Sequence, residues 1–276
     1  MTGADQRLHE AGSTVPGAVP VPGAVPVPGA VPAQVLENHL GGAEARNYRN
    51  YQFELVAPHC GRSVLEVGAG LGDFAAQFSG LDRHVLLDSD PYCLGELRRR
   101  FAARAGVEVI EASLPGVPPL AEPVESVVAL NVLEHIPDDV GALRDLASVV
   151  VPGGRIVLWV PAYPALYGDF DRKVGHVRRY TPASLRAAAE AAGLRVEVLR
   201  PVNLLGGLAW WLAVRVGGAG QTDPRLIRIY DRVVLPLTRA IEQRVRPPFG
   251  QSVLCVARVV AAAPVAPAAP PGSSAG

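Results

Sequence analysis

The chain has 276 residues, of which 49% are hydrophobic, and its 26 basic residues balance 26 acidic ones to give no net charge. This length accommodates one large domain or two small ones, and the apolar content is enough to fill a core. Basic residues form no stripe along the sequence, which argues against a nucleic-acid-binding protein. The most apolar stretch, residues 204–216, is too short to span a bilayer and contains two glycines and an arginine.

Both ends of the chain have low complexity. Residues 15–32 repeat the hexapeptide VPGAVP three times. Proline at this density prevents regular helices and sheet ladders, and the small side chains cannot fill a core. We therefore expect residues 1–33 to form a disordered arm and residues 34–260 to form the folded domain. Residues 261–276, rich in alanine and proline, are expected to form a disordered tail.

The cysteine pattern bears on compartment and metal content. The chain has three cysteines, Cys60, Cys93 and Cys255, which lie far apart in the sequence. They do not have the CxxC or Cys/His spacing of a metal site. We expect reduced thiols and no metal site. The first residues also lack the charged and apolar regions of a signal peptide, so a cytoplasmic protein is expected.

Strand and helix patterns alternate along the folded segment. Strands are predicted at residues 63–67, 84–88, 107–111, 125–131, 155–160, 194–199 and 252–260. Helices are predicted from about residue 73, from about residue 91, over residues 137–150 and over residues 181–192. This alternation is typical of a doubly wound α/β sheet with right-handed crossovers.

A long insertion, residues 201–249, separates the last two predicted strands. Apolar residues recur at helical spacing over residues 226–241, which predicts a helical insertion. A connection of about 50 residues usually does more than join strands. Its Trp210 and Trp211 suit an acceptor-pocket lid, a homodimer contact, a peripheral membrane contact or simple core packing.

The first predicted strand runs directly into a glycine-rich turn. Gly68, Gly70 and Gly72 stand at alternate positions, and the second strand ends in Asp88. Glycines allow a tight turn and close approach of a ligand, while an acid at the next strand tip accepts hydrogen bonds from ribose hydroxyls. The pattern predicts a pocket for a nucleoside cofactor.

Two nucleoside cofactors fit such a turn. The dinucleotide fingerprint GxGxxG needs a third glycine where this chain has Asp73, and a carboxylate there disfavours a pyrophosphate. S-adenosylmethionine has no phosphate, and its sulfonium cation tolerates acids such as Glu66. The spacing favours S-adenosylmethionine and leaves an NAD(P)-dependent oxidoreductase as the alternative.

Five motifs in order resemble those of class I S-adenosylmethionine-dependent methyltransferases. They are EVGAGLG (66–72), LDSDP (87–91), EASLP (111–115), NVLEHIPD (131–138) and VPGGR (151–155). The segment GHVRRYTP (175–182) is similar to the small-molecule, type 11/12-like branch. The resemblance covers about residues 45–200. It implies a Rossmann-like, seven-stranded sheet, mostly parallel with an antiparallel seventh strand, and methyl transfer to an O, N or C atom of a small molecule.

The same resemblance implies a set of cofactor-binding residues: Tyr48, Glu66, Gly68, Ala69, Gly70, Gly72, Asp88, Ser89, Ser113, Leu114 and Asn131. In this family, the turn lines the methionine portion of the cofactor, the acid at the second strand tip holds the ribose, and the residues after strand three flank the adenine. Tyr48 would bring an aromatic face near the sulfonium. Glu66 would contact the ligand or bond the backbone amides of the turn.

The acceptor is expected at the loops after strands four and five, because ligands bind outside the carboxyl ends of such strands. The candidate catalytic residues are His176, His135 and Tyr180. Histidine suits base chemistry near neutral pH, although methyl transfer needs a base only when the acceptor must lose a proton early. A second interpretation has His135 cap or orient the following helix and places His176, Arg179 and Tyr180 in a structural cluster. Arg178 and Arg179 would also suit an anionic acceptor. A non-catalytic cofactor-binding scaffold is a further alternative.

Overall fold

The computed structural model describes residues 45–216 and 224–260. The predicted arm (1–33) and tail (261–276) lie outside the described residues. The strands are β1 (Ser63–Val67), β2 (Arg83–Asp88), β3 (Val107–Glu111), β4 (Val124–Leu130), β5 (Val150–Pro161), β6 (Leu194–Val202) and β7 (Ser252–Val259). The α-helices are α1 (Arg46–Val56), α2 (Pro91–Phe101), α3 (Asp139–Ser148), α4 (Asp169–Val174), α5 (Pro182–Ala191), α6 (Leu204–Val216), α7 (Pro224–Ile229) and α8 (Leu235–Glu242). A π-helical turn, Tyr230–Val234, joins the last two helices.

All the strands belong to one sheet with the order β3-β2-β1-β4-β5-β7-β6. β1 pairs in parallel with β2 and β4, whereas β7 runs antiparallel to both β5 and β6. The predicted Rossmann-like sheet with an antiparallel seventh strand is therefore confirmed. The strand order reverses between β1 and β4, and a crevice at such a switch point is the usual ligand site of a doubly wound sheet.

Each face of the sheet buries a separate apolar layer. One layer joins Leu65 and Leu158 of the sheet to Leu143 of α3 and Leu185 of α5. The other is aromatic, with Trp159 of β5 edge-on to Tyr51 of α1 at 5.9 Å between ring centroids. Helices on both faces explain why the central strands read as continuous apolar runs.

The helix predicted from residue 73 is wrong. Between the glycine turn and β2 the chain forms only a three-residue 3-10 helix, Ala75–Gln77. The rings of Phe74 and Phe78 pack against Phe53 of α1, with centroids 5.6 and 4.9 Å away. Gly80, at φ +72°, then redirects the backbone before a longer helix can form.

β5 also differs from its predicted extent, because it begins at Val150 instead of residue 155. Residues 152–154 (PGG) have the composition of a turn, but the ladder with β4 continues past them through a register shift. Gly153 takes φ +82° there, which allows the strand to bulge and resume. By contrast, the helix start predicted at residues 181–182 is confirmed. Thr181 caps α5 by accepting a 3.0 Å hydrogen bond from the Ser184 amide.

The helical insertion caps α1, although the two are distant in sequence. Ala45 precedes α1 and has no capping side chain. Instead, the buried Asp231 carboxylate accepts hydrogen bonds from the amides of Asn47 (3.1 Å) and Tyr48 (2.8 Å). The π-helical turn that contains Asp231 brings this acid to the start of α1, where it satisfies exposed N–H groups and complements the helix dipole.

A second contact links α1 to both ends of the insertion. The Glu242 carboxylate accepts hydrogen bonds from the Tyr51 hydroxyl (2.5 Å) and the Leu204 amide (2.8 Å). Tyr51 Oη in turn accepts a bond from the Asn203 amide at 3.0 Å. Residues 201–249 therefore hold α1 in place on the sheet, a role that the sequence did not reveal.

Asp231→Ala should lower the free energy of unfolding by about 1–2 kcal/mol, because it removes the acceptor for two amides at the start of α1. Urea unfolding followed by circular dichroism measures this change. Glu54→Ala is the matched control, since Glu54 also joins α1 to α8 but through an exposed pair with Arg239. Equal losses in the two variants would contradict a capping role for Asp231.

Candidate cofactor and acceptor site

The glycine turn at the end of β1 has a backbone that few other residues adopt. Gly68, Gly70 and Gly72 have φ values of +67°, +55° and +76°. The amides of Gly68 and Ala69 donate to the Leu87 carbonyl at 2.8 and 3.0 Å. These bonds hold the turn against the end of β2, so the first two motifs form one edge of the crevice.

Asp88 connects the turn to the start of the next helix. Its buried carboxylate accepts hydrogen bonds from the Gly70 amide at 2.7 Å and from the Asp90 amide at 2.9 Å. A carboxylate offers about four acceptor positions, so Asp88 retains capacity for two ribose hydroxyls. The adjacent Ser89 is exposed. This geometry fits the predicted ribose-binding role of the pair.

Gly72 packs closely against α2, which leaves no space for a side chain at this position. A Cβ atom at this position would lie 2.5 Å from Phe101 and 2.9 Å from Leu97, both on α2. The space beside Gly72 belongs to α2, and its predicted contact with the cofactor stays a prediction. Close packing between the turn and the helix explains this third glycine.

Of the two roles expected of Glu66, contact with the ligand stays a prediction, whereas bonding to the turn amides is not seen. The turn amides of Gly68 and Gly70 donate to Leu87 and Asp88, so the prediction that Glu66 bonds these amides is wrong. Its carboxylate is buried 3.4 Å from Nε2 of His84 on β2. Burial raises the pKa of Glu66, and the neighbouring His84 only partly opposes that change.

The residues predicted to flank the adenine follow β3. Ser113 is exposed, and Leu114 is half-buried against the apolar layer that contains Leu65. The peptide between Leu114 and Pro115 is cis. A half-buried apolar side chain beside an exposed hydroxyl suits one face of a flat heterocycle, so the adenine-binding roles stay predictions that the geometry permits.

The backbone after β4 lies directly across from the glycine turn. Asn131 has φ +52°, a conformation that asparagine tolerates better than most residues, and its amide donates to the Trp159 carbonyl at 2.8 Å. A Cβ atom on Gly68 would lie 2.7 Å from the Val132 side chain. The first and fourth motifs thus meet at the switch point, as the resemblance implies.

Tyr48 is placed by aromatic packing. Its ring is edge-on to Trp159 at 6.3 Å between centroids and lies 6.4 Å from Tyr51. Trp159 also holds the Asn131 backbone, so Tyr48 contacts the strand that borders the crevice. Its contact with a sulfonium stays a prediction.

A buried ionic cluster forms after β5. The Asp171 carboxylate is 2.7 Å from His176 Nδ1 and accepts a 2.7 Å hydrogen bond from Arg179 Nε. Gly175, at φ +82°, ends α4 and turns His176 back towards Asp171. Burial raises the pKa of Asp171, but the bonds from His176 and Arg179 outweigh burial and hold the pKa below its usual value.

The loops after β4 and β5 bring Glu134, His135 and His176 together. The rings of His135 and His176 are edge-on, with centroids 4.7 Å apart, and His176 Nε2 is 3.8 Å from Glu134 Oε1. The Val177 amide donates to the Glu134 carbonyl at 2.9 Å, which ties the two loops. Asp138, not His135, caps α3, so the capping interpretation of His135 is wrong.

Tyr180 lies outside this ionic cluster. Its buried hydroxyl donates to Asp139 at 2.8 Å, and burial, reinforced by Asp139, raises its pKa well above the usual range. Arg178 pairs with the same Asp139 at 2.6 Å. This arrangement favours a positioning role for Tyr180. Arg178 and Arg179 each have a carboxylate partner, and the contact of either guanidinium with an anionic acceptor stays a prediction.

Sequence reasoning identified both histidines but missed Glu134 and Asp171 as parts of the site. Glu134 lies within the motif NVLEHIPD (131–138), and Asp171 lies in the polar segment after the fifth strand, where the acceptor is expected. Their contact with His176 depends on how two loops about 40 residues apart meet, which no spacing rule reports.

The sheet order and the glycine–acid contact define a doubly wound α/β domain that carries its glycine turn and strand-tip acid at the switch point of the sheet. Residues 42–199 match the family model described as a methyltransferase domain. The chain belongs to this family, the class I S-adenosylmethionine-dependent methyltransferases, and the resemblance in the five motifs is thereby confirmed.

Curated relatives support the same assignment. A protein of Mycolicibacterium smegmatis, named a probable S-adenosylmethionine-dependent methyltransferase, is 30% identical over 191 residues, or 66% of this chain and 73% of the relative. An uncharacterized methyltransferase of Mycobacterium leprae is 29% identical over 61% of this chain and 64% of the relative. The chain spans 43% of the length of a transposon protein of Streptomyces fradiae that is 28% identical over 51% of this chain.

Solved structures share the fold at low sequence identity. An S-adenosylmethionine-dependent methyltransferase from Mesorhizobium loti superposes with a TM-score of 0.53 at 17% identity, covering 79% of this chain and 99% of that one. A chain of a Haloferax volcanii complex containing the Trm112 methyltransferase activator gives a TM-score of 0.57 at 16% identity. That match covers 83% of this chain and 97% of the other.

Proposed function

We propose that the chain transfers a methyl group from S-adenosylmethionine to an O, N or C atom of a small-molecule acceptor. The observation that carries the proposal is the 2.7 Å hydrogen bond from the Gly70 amide to Asp88. This bond joins the glycine turn to the acid expected to hold the ribose. The crevice beside it lies at the switch point of the sheet, where the family binds its cofactor.

The structure argues against the NAD(P)-dependent alternative. A pyrophosphate is stabilised by the N-terminus of a helix that follows the glycine turn. Here that segment contains only the three-residue 3-10 helix Ala75–Gln77. Asp73, which precedes it, stands where the dinucleotide fingerprint has its third glycine, and its carboxylate pairs with Arg100 at 2.7 Å. Neither feature suits a phosphate group.

The insertion supports a small acceptor because it covers the acceptor-side loops. Trp210 of α6 donates from its indole N–H to the Leu166 carbonyl at 3.1 Å. Its ring lies 5.2 Å from Phe170 and 5.3 Å from the Arg179 guanidinium. Trp210 and Phe170 thus pack beside the buried Asp171–His176 pair, and an acceptor site covered by the insertion suits a small molecule better than a macromolecule.

The other tryptophan bears on partners. Trp211 is 46% exposed and lies beside exposed Leu208 and Leu212 on α6. This surface keeps a homodimer contact or a peripheral membrane contact through the insertion as predictions. In the described part of the chain, every helix falls short of the length and apolar character needed to cross a membrane. The cytoplasmic location also stays a prediction.

Isothermal titration calorimetry should show binding of S-adenosylhomocysteine and no binding of NADH to the purified chain, because the turn lacks a phosphate site. Binding of NADH without S-adenosylhomocysteine would overturn the proposal. Incubation with an isotope-labelled methyl donor and a small-molecule extract then separates an enzyme from a non-catalytic scaffold. A labelled product of low mass supports methyl transfer, and cofactor binding with no labelled product supports the scaffold.

A further inference from the structure

Two imidazoles and a carboxylate converge on the acceptor side of the crevice. The ligating atoms of Glu134, His135 and His176 all lie within 4.8 Å of one another. We propose that these three residues bind a divalent transition-metal ion. Two nitrogens with one carboxylate oxygen are a donor set for Zn²⁺, Mn²⁺, Fe²⁺ or Co²⁺, whereas Mg²⁺ and Ca²⁺ prefer oxygen alone.

The surroundings of His176 match those of a metal-ligating histidine. Its Nδ1 is 2.7 Å from the Asp171 carboxylate, which orients the ring and directs Nε2 towards Glu134. Arg179 fixes Asp171 with a 2.7 Å hydrogen bond. A carboxylate behind a ligating histidine holds its tautomer and raises the basicity of the other nitrogen.

The distances also suit ligands that share an ion. His176 Nε2 and Glu134 Oε1 are 3.8 Å apart, which is longer than a hydrogen bond. Two atoms bound at about 2.0–2.2 Å to one ion lie roughly 3–4 Å apart. Glu134 and His176 are buried and fixed, whereas His135 is half-buried on a short 3-10 helix. The three donor atoms already lie within 4.8 Å of one another, so a small movement of His135 would bring all of them to ligand distance of one ion.

The backbone preorganises this cluster before any ion arrives. The Val177 amide donates to the Glu134 carbonyl at 2.9 Å, so the chain next to His176 is bonded to the chain next to His135. The His176 amide likewise donates to the Asp171 carbonyl at 2.8 Å. Because these hydrogen bonds join the two loops, the backbone at Glu134 and His135 keeps a fixed position relative to His176.

The chemical consequence rests on the proposed methyl transfer. Three protein ligands leave at least one coordination position, and an acceptor hydroxyl bound there loses its proton to water more easily. The oxygen lone pair then forms the O–CH₃ bond as the S–CH₃ bond breaks. The bonding electrons stay on sulfur and give neutral S-adenosylhomocysteine. The metal site therefore predicts an alcohol, phenol or enol acceptor methylated on oxygen.

The test uses the full chain with its purification tag removed, treated with chelator and dialysed. Calorimetric titration with Zn²⁺, and Co²⁺ titration followed by visible absorption, measure binding. His135→Asn and Glu134→Gln should each weaken Zn²⁺ binding at least ~10-fold, since losing even an outer-shell partner costs about 10–100-fold. His59→Asn is the matched control, because His59 is also half-buried but lies after α1, far along the chain from the cluster.

The outcomes separate the metal site from the proposed function. Equal Zn²⁺ affinity in the unmodified chain and His135→Asn, with circular dichroism showing both folded, would overturn the metal site. His135 is half-buried, so this variant decides the matter even if Glu134→Gln fails to fold. S-adenosylhomocysteine binding is measured on the same samples. Cofactor binding without a Zn²⁺ site rejects the metal alone, and Zn²⁺ binding without cofactor binding rejects the methyltransferase proposal.

Discussion

Asp171→Ala is expected to lower the free energy of unfolding by about 3–5 kcal/mol, the usual result of removing one partner from a buried ion pair. The Asp171 carboxylate is fully buried and contacts both His176 and Arg179 at 2.7 Å. Alanine would leave the Arg179 guanidinium, itself 6% exposed, without this counter-charge. Chemical denaturation followed by circular dichroism measures the loss.

Two further variants test whether the loss of stability comes from the burial and the pairing of Asp171. Asp169→Ala removes a nearby acid that pairs with Arg172, but both of those side chains are more than half exposed, so the loss should stay within about 1 kcal/mol. Asp171→Ala combined with Arg179→Met removes both charges and should be more stable than Asp171→Ala alone. A single mutant as stable as Asp169→Ala, or a double mutant less stable than Asp171→Ala, would contradict the account.

The Asp171 cluster shows what could not be predicted from the sequence. Asp171, His176 and Arg179 lie in one polar loop, and the loop was identified as the acceptor side. Which acid meets which base depends on the short helix α4 and on the left-handed turn at Gly175. Helices of six residues have little periodicity to read, so the pairing emerges only from the folded backbone.

The sheet could be predicted because buried parallel strands are apolar throughout and are separated by recognisable turns and caps. Predicted strands fall within a few residues of the observed ones except at β5, where residues 151–154 bulge without ending the ladder. The missing helix after the glycine turn has a different cause. Phe74 and Phe78 have the spacing of a helix face, yet their packing against Phe53 and the turn at Gly80 hold the segment in a shorter form.

The insertion exposes another limit of sequence reasoning. Its helical segment over residues 226–241 was predicted from periodicity, but the contact of Asp231 with α1 joins residues more than 180 positions apart. Ala45, which precedes α1, has no side-chain oxygen that could accept hydrogen bonds from the first amides of the helix. This absence was the one sign in the sequence that another segment provides the capping group. Asp231 provides that group. The residues around Asp231 in the sequence do not show whether its carboxylate is buried or exposed to solvent.

Among the predicted cofactor residues, some positions could be explained from the sequence and others only from the structure. Asp88 was predicted from its place at a strand tip, and it does join the turn to the next helix. Gly72 shares a motif with Gly70 but serves the packing of α2. A one-dimensional motif records that a glycine is present, whereas its physical cause, either ligand access or helix packing, depends on what lies beside the missing Cβ atom.

Asp88→Ala is expected to weaken S-adenosylhomocysteine binding at least about 100-fold, because two ribose hydroxyls bond to the carboxylate and each hydrogen bond to a charged group contributes about 1.5–3 kcal/mol. The substitution removes the proposed ribose acceptor and the acceptor for the Gly70 and Asp90 amides. Calorimetric titration measures the affinity, and urea unfolding shows how much stability is lost at the same time.

Asp73→Ala separates ribose binding from a general loss of negative charge. Asp73 follows the same glycine turn but is directed to Arg100 at 2.7 Å, so its removal should leave the cofactor affinity within about threefold. Asp88→Asn adds a second distinction, since the amide keeps the size of the side chain but has one acceptor oxygen in place of two. If ribose binding and turn geometry both depend on that carboxylate, Asp88→Asn should bind between the unmodified chain and Asp88→Ala. An affinity in Asp88→Asn equal to that of the unmodified chain would mean that the side chain acts through shape, and the ribose would then have to be held elsewhere in the crevice.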